Sequence, residues 1–170
     1  SALYHSLKNA GYNFNYVVDA NIKRLKIITA GDNKVTIKEE LKSECLIKSD
    51  VIIFAVPEKS LNKVINICSN FNLDLSHKIL FHLSGIETSD IFKPLKLNIR
   101  NIGSYHPLQT FNIFSYNNNK LLNNIYFGIE GGSDAIKYFM DCCKSLKSKF
   151  IVIPKDKKIL YHSVCVIASN

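Results

Sequence analysis

The sequence predicts an α/β fold built on a doubly wound, largely parallel sheet. Three observations carry this. Short apolar runs alternate with helical repeats for most of the chain, Val51 to Val56 form an unbroken apolar run, and no internal repeat or low-complexity linker interrupts the order. Unbroken apolar strands suit a parallel sheet covered on both faces, and strand–helix alternation implies right-handed crossovers.

Taken in order, Ala2, Leu3, Leu7 and Ala10 fall at helical spacing and stop at Gly11, a natural C-terminal cap. The "FNYVVDA" stretch places a buried strand at Tyr16, Val17 and Val18 that ends at Asp19, and "VTIKEELKSEC" is a short segment entering a helix. "SDVIIFAVPEKSL" is the clearest strand, stopped by Pro57. The helix after it carries Leu61, Val64, Ile65 and Cys68 on one face. "HKILFHLSG" is a strand ending at Ser84 and Gly85, "SDIFKPLK" a short helix capped by Ser89 or Asp90, and "LNIRNIGSYHP" another strand. "NIYFGIEGG" and "KFIVIP" are strands flanking a helix that starts at Ser133, and "KDKKILYHSVCVIASN" opens a last helix.

Composition narrows the class. In 170 residues, 46% are hydrophobic and 21% charged, as in an ordinary globular chain with one core. No apolar run reaches the roughly 18 to 20 residues that span a bilayer, so no membrane association is expected and a cytoplasmic protein is the reading. Five cysteines without a C-x-x-C pair suggest reduced, mostly buried thiols. The net charge of +8 is spread along the chain without an aromatic-studded basic stripe, which argues against nucleic acid as a partner.

A doubly wound sheet that binds a dinucleotide needs a first strand and a glycine-rich turn feeding a helix N-terminus. Here the sequence opens on the helix, and Asp19 falls where an acidic residue would meet the adenosine ribose. A preceding strand and loop are therefore expected outside the sequence, the alternative being a small protein that never had them.

The combination of "SDVIIFAVPEKSL", "ILFHLSG", "GSYHPLQTF", "FGIEGG" and "KKILYHSVCVIASN" resembles Rossmann-like NAD(P)-binding oxidoreductase-like proteins with a C-terminal domain of unknown function. These are relatives of pyrroline-5-carboxylate reductase, prephenate dehydrogenase and 6-phosphogluconate dehydrogenase. The resemblance implies a Rossmann-like domain over 1–153, without its first strand and Gly-rich loop. It also implies the start of an all-helical C-terminal domain over 154–170, commonly dimer-forming, so a homodimer through that domain is expected. NADP or NAD is the implied cofactor, with Ala55, Val56 and Pro57 lining the nicotinamide side and a small molecule as substrate.

The residues themselves suggest a chemistry. Hydride transfer needs a proton donor or acceptor beside the reacting carbon, and histidine serves near neutral pH. His106, set before Pro107 at a strand end, is the first candidate for acid/base work or substrate contact; the bland alternative is a histidine bonding a loop carbonyl. Ser84 could orient substrate or the nicotinamide carboxamide, or simply cap a turn. Gln109 could contact substrate, whereas Thr110 and Phe111 would pack the loop. On the last helix Lys158, His162 and Ser169 or Asn170 share one face, a polar seam suited to an interdomain cleft on a helix that also shows Leu160, Val164 and Ile167. His82, His106 and His162 could approach one another, but no two have local ligand spacing, so no metal is assigned. Asp19 favours NAD and the neighbouring Lys23 and Arg24 favour NADP, with a lean to the latter. The reading is an NAD(P)-dependent oxidoreductase-like protein. Its rival is a catalytically silent nucleotide-binding or dimerisation module on the same fold.

Overall fold

The computed structural model describes residues 2–109 and 121–169. Five strands form one sheet in the order β3 (Val51–Phe54), β4 (Ile79–His82), β5 (Ile102–Pro107), β6 (Tyr126–Gly131) and β7 (Lys149–Val152). Beside it β1 (Tyr16–Val18) and β2 (Thr36–Lys38) pair in parallel as a separate two-stranded sheet. Helices α1 (Ala2–Asn9), α2 (Ile22–Ile28), α3 (Ser43–Ile47), α4 (Glu58–Asn70), α5 (Ser133–Ser145) and α6 (Lys158–Ser169) complete the fold.

The large sheet is parallel except at one pair. β5 and β6 run antiparallel, with Tyr105 opposite Ile129 and His106 opposite Gly128. The apolar run at β3 is also shorter than its sequence suggests: the strand stops at Phe54, and Ala55, Val56 and Pro57 form an exposed turn into α4.

Strand alternation sorts side chains onto two faces. Phe81, Tyr105, Phe127 and Ile129 join Leu7 of α1 and Ala135, Phe139, Cys142 and Cys143 of α5 in one core. Leu80 and Ile102 point the other way, into a second core with Phe54, Leu61, Ile65, Cys68 and Phe92. The same alternation places His82, Ser104, His106, Gly128 and Glu130 on that second face. In the first core the Tyr105 and Phe127 rings stack with centroids 4.1 Å apart, and Phe139 closes on Phe81 at 4.9 Å. Gly103 makes this possible, since a Cβ there would come within 2.7 Å of the Phe139 ring.

The expected helix at "SDIFKPLK" is a 3-10 segment over Ser89–Leu95 with Thr88 in the N-cap position, which makes no side-chain cap bond. Ser89 does not cap it because its hydroxyl and amide both serve Glu130. Gly11 ends α1 at φ +93°, as the sequence suggests. All five cysteines are free thiols, four of them buried. No helix among the described residues is long and apolar enough to cross a membrane.

Phe139 is fully buried where α5 meets three strands. Phe139→Ala should therefore lower stability by about 3–5 kcal/mol, read as a fall in the urea unfolding midpoint.

Candidate functional site

The second face of the sheet becomes polar where the strands end. β4 finishes at His82, β5 carries Ser104 and His106, and β6, running the other way, carries Gly128 and Glu130. Helix α6 begins over these positions with Lys158, and one turn later presents Tyr161 and His162.

Lys158 is only 1% exposed. Its ammonium donates to the Ser84 carbonyl at 3.2 Å and to the Ser104 hydroxyl, and lies 3.9 Å from Glu130 Oε2. Glu130 accepts from the Ser89 amide at 2.8 Å and the Ser89 hydroxyl at 2.7 Å, so both carboxylate oxygens are held. Burial lowers the Lys158 pKa to about 8, opposed by Glu130, Glu87 and Glu58.

Two histidines on this face are held neutral. Burial, helped by the Lys158 charge, lowers His82 to about 3. Its Nδ1 accepts from the Ser84 amide at 3.2 Å, which leaves Nε2–H to donate to the Thr88 carbonyl at 3.2 Å. Burial lowers His106 to about 4, reinforced by Lys158 and His162 and opposed by Glu58. His106 Nδ1 sits 2.9 Å from the Tyr161 hydroxyl, and its ring centre is 6.1 Å from that of His162. His162 Nδ1 is buried without a hydrogen-bond partner. Gly85 lies between: a Cβ there would fall 3.0 Å from His106 Nε2 and 2.5 Å from His162 Nδ1. Only glycine allows both rings to close on this turn.

Ser84, Lys158, His106 and His162 thus meet in one place. The Ser84 hydroxyl donates to Glu58 and accepts from the amides of Ile86, 3.2 Å, and Glu87, 3.0 Å, which makes it the organiser of the turn. Through Glu58, the first residue of α4, this turn is tied to the exposed Ala55–Val56–Pro57 stretch. Asp19, at the end of β1, accepts from the Asn21 amide at 2.8 Å and pairs with Arg24 at 3.2 Å. Gln109 is exposed beyond β5; Thr110, Phe111 and Asn170 lie outside the described residues.

Lys158 and His162 turn toward the strand ends, and Leu160, Val164 and Ile167 are 63%, 57% and 77% exposed on the far side of α6. Among the described residues no group of three or more His, Cys, Asp or Glu could hold a metal ion. Sequence reasoning assigned no role to Glu130, Tyr161 and Gly85. The signal for Glu130 was a lone carboxylate within "YFGIEG", since a charge in a buried strand needs a partner.

Residues 125–170 match the family model described as Domain of unknown function (DUF2520). A search of curated proteins returned no match. Among solved structures, a Thermotoga maritima protein superposes with a TM-score of 0.73 at 25% identity, covering 100% of this chain and 61% of its own. An Aquifex aeolicus prephenate dehydrogenase, in complex with hydroxyphenyl propionate and NAD+, gives 0.68 at 12% identity over 92% of this chain and 57% of its own. A Coxiella burnetii pyrroline-5-carboxylate reductase gives 0.65 at 14% identity over 92% and 56%. The chain therefore has the Rossmann-like fold of the dehydrogenase and the reductase, and spans less than two thirds of each of the three chains.

Two predictions follow from the buried charges. Lys158→Met strands the Glu130 carboxylate and should cost about 3–5 kcal/mol, whereas adding Glu130→Gln should recover part of that loss in a double-mutant cycle of unfolding free energies. Acid should also destabilise the protein before its carboxylates titrate. His82 and His106 stay neutral when folded but take up protons near their ordinary value of 6.5 when unfolded. Their contribution is complete above that value and is lost as pH falls from 6.5 through about 4 for His106 and about 3 for His82, so the urea midpoint should drop across this window. His106→Gln should flatten the drop; a midpoint constant from pH 7 to 5 would contradict the burial account.

Proposed function

We propose that this chain is the nucleotide-binding part of an NAD(P)-dependent oxidoreductase that transfers hydride to or from a small molecule. The observation that carries the proposal is the convergence of His106, His162 and Gly85 at the carboxyl ends of the strands, beside the exposed Ala55–Val56–Pro57 turn. In open α/β sheets that edge is where ligands bind.

The available residues fit a dinucleotide. Asp19 carries a carboxylate at the end of β1, half-buried and oriented by Arg24, where ribose hydroxyls could donate to it. Ala55, Val56 and Pro57 offer a small, largely apolar surface for the nicotinamide side. When bound, the cofactor supplies or accepts the hydride. His106 then hydrogen-bonds the reacting oxygen or nitrogen of the substrate, and His162 and Gln109 contact the rest of it. Lys158 and Ser84 hold the turn that carries Gly85 and do not touch substrate, because their polar atoms are already engaged. The exposed apolar side of α6 is suited to cover by further helices, and a homodimer formed through them is part of this proposal.

The silent-module alternative draws on the same commitment of Lys158 and Ser84 to internal bonds. Nucleotide preference is set between Asp19 and Arg24. We propose NADP, since the Arg24 side chain is 62% exposed and its guanidinium, now paired with Asp19, is open to a 2′-phosphate.

Calorimetry on the full-length chain tests this directly. NADP+ should bind, and Arg24→Ala should weaken it roughly tenfold or more relative to NAD+, as expected for loss of a charge-assisted hydrogen bond. Absence of binding by both nucleotides would end the oxidoreductase reading.

A further inference from the structure

We infer that Tyr161 is a positioning residue for His106, fixing it as the Nε2–H tautomer and aiming that N–H at the space beside Gly85. The inference rests on the reading of His106 as the group that hydrogen-bonds substrate, and its physical content can be checked without substrate or cofactor.

The Tyr161 hydroxyl lies 2.9 Å from His106 Nδ1, with the two rings perpendicular and their centres 5.8 Å apart. Two neutral groups share this contact, because burial raises the tyrosine pKa and lowers that of the histidine. Either atom could in principle donate. A phenol is the better acid and an imidazole nitrogen the better base, so the O–H donates and Nδ1 accepts. Cys165, one turn further along α6, also reaches the phenol, but sulfur is a weak acceptor and does not displace the imidazole. With Nδ1 occupied as an acceptor, the single proton of the neutral ring resides on Nε2.

The surroundings hold both partners in place. Tyr161 rests on Gly128, where a Cβ would overlap its hydroxyl oxygen and come 2.5 Å from Cζ. His106 and Gly128 are directly opposed across the β5–β6 pair, so the strand that carries the histidine is paired with the glycine that seats the tyrosine. One turn earlier, Lys158 fastens α6 to the Ser84 turn and to Ser104, fixing the helix that delivers Tyr161. At the other edge of the imidazole, Nε2 and Cε1 would each lie 3.0 Å from a Cβ on Gly85. The charged and titratable groups acting on His106 are Lys158, His162 and Glu58, and none of them supplies an alternative acceptor at Nδ1.

Long-range proton–nitrogen NMR of the 15N-labelled full-length chain at neutral pH reads the tautomer. His106 should show an unprotonated Nδ1 and a protonated Nε2. In Tyr161→Phe its two nitrogens should shift toward the averaged signals of a tautomer mixture. His82 is the internal control, because its own Nε2–H form is fixed by Ser84 and Thr88 and should stay unchanged if the fold is intact. A protonated Nδ1 on His106 in the parent overturns the inference, and this holds even if the variant does not fold. An unchanged His106 spectrum in a folded variant also overturns it. Failure of the parent to bind either nucleotide, with the tautomer as expected, would instead strike the proposed function and leave the Tyr161–His106 geometry standing.

Discussion

A lysine ammonium sealed under the first turn of a helix is the constraint on which this end of the molecule depends. Removing a charge from water is costly, and Lys158 is tolerated because Glu130, Ser104 and the Ser84 carbonyl replace its hydration. Each partner is committed in turn. Glu130 is held by Ser89, which fixes the 3-10 segment that follows β4. The Ser84 carbonyl belongs to a turn whose amide and hydroxyl orient His82 and Glu58. One buried cation therefore sets the path of three loops and the docking of α6.

Glycines supply the matching permission. Gly85 and Gly128 are the floor on which His162 and Tyr161 rest, and Gly103 admits the Phe139 ring on the opposite face. A Cβ at Gly85 would force the His162 and His106 rings to shift, and one at Gly128 would displace the Tyr161 ring. Polar convergence here is thus a product of backbone proximity as much as of the polar residues themselves, which is why a tightly anchored helix and bare backbone occur together.

Much of the fold was legible because apolar periodicity is local. Val51 to Phe54, Leu61, Ile65 and Cys68, and the helix from Ser133 all follow their predicted patterns. The antiparallel β5–β6 pair was not legible, since strand direction depends on how the chain returns and apolar strands read alike in either sense. At the site, His106 and His162 stood out as chemistry on a strand end and on a helix face. Glu130 and Tyr161 did not, because each acquires its meaning from a partner 41 or 55 positions away in sequence, Ser89 and His106 respectively. Lys158 stood out by its helical spacing with His162, and in the fold its buried ammonium also anchors α6 to Ser84 and Ser104.

That anchor also shapes what His106 can do. A cation nearby and a dry setting both disfavour the imidazolium, so at neutral pH the ring is uncharged. With Nδ1 accepting from Tyr161, the ring offers a single N–H and no free lone pair. Such a group is a poor base, and it would yield its proton outright only by becoming an unstable anion. It is well suited to polarise a carbonyl or imine by hydrogen bonding, the role neutral imidazoles take in other enzymes. Full proton delivery from Nε2 would require Nδ1 to be reprotonated in the same event, and among the described residues the hydroxyl bonded to Nδ1 is that of Tyr161. The histidine that stood out in the sequence for its titration near neutrality is, in the folded chain, one that does not titrate there.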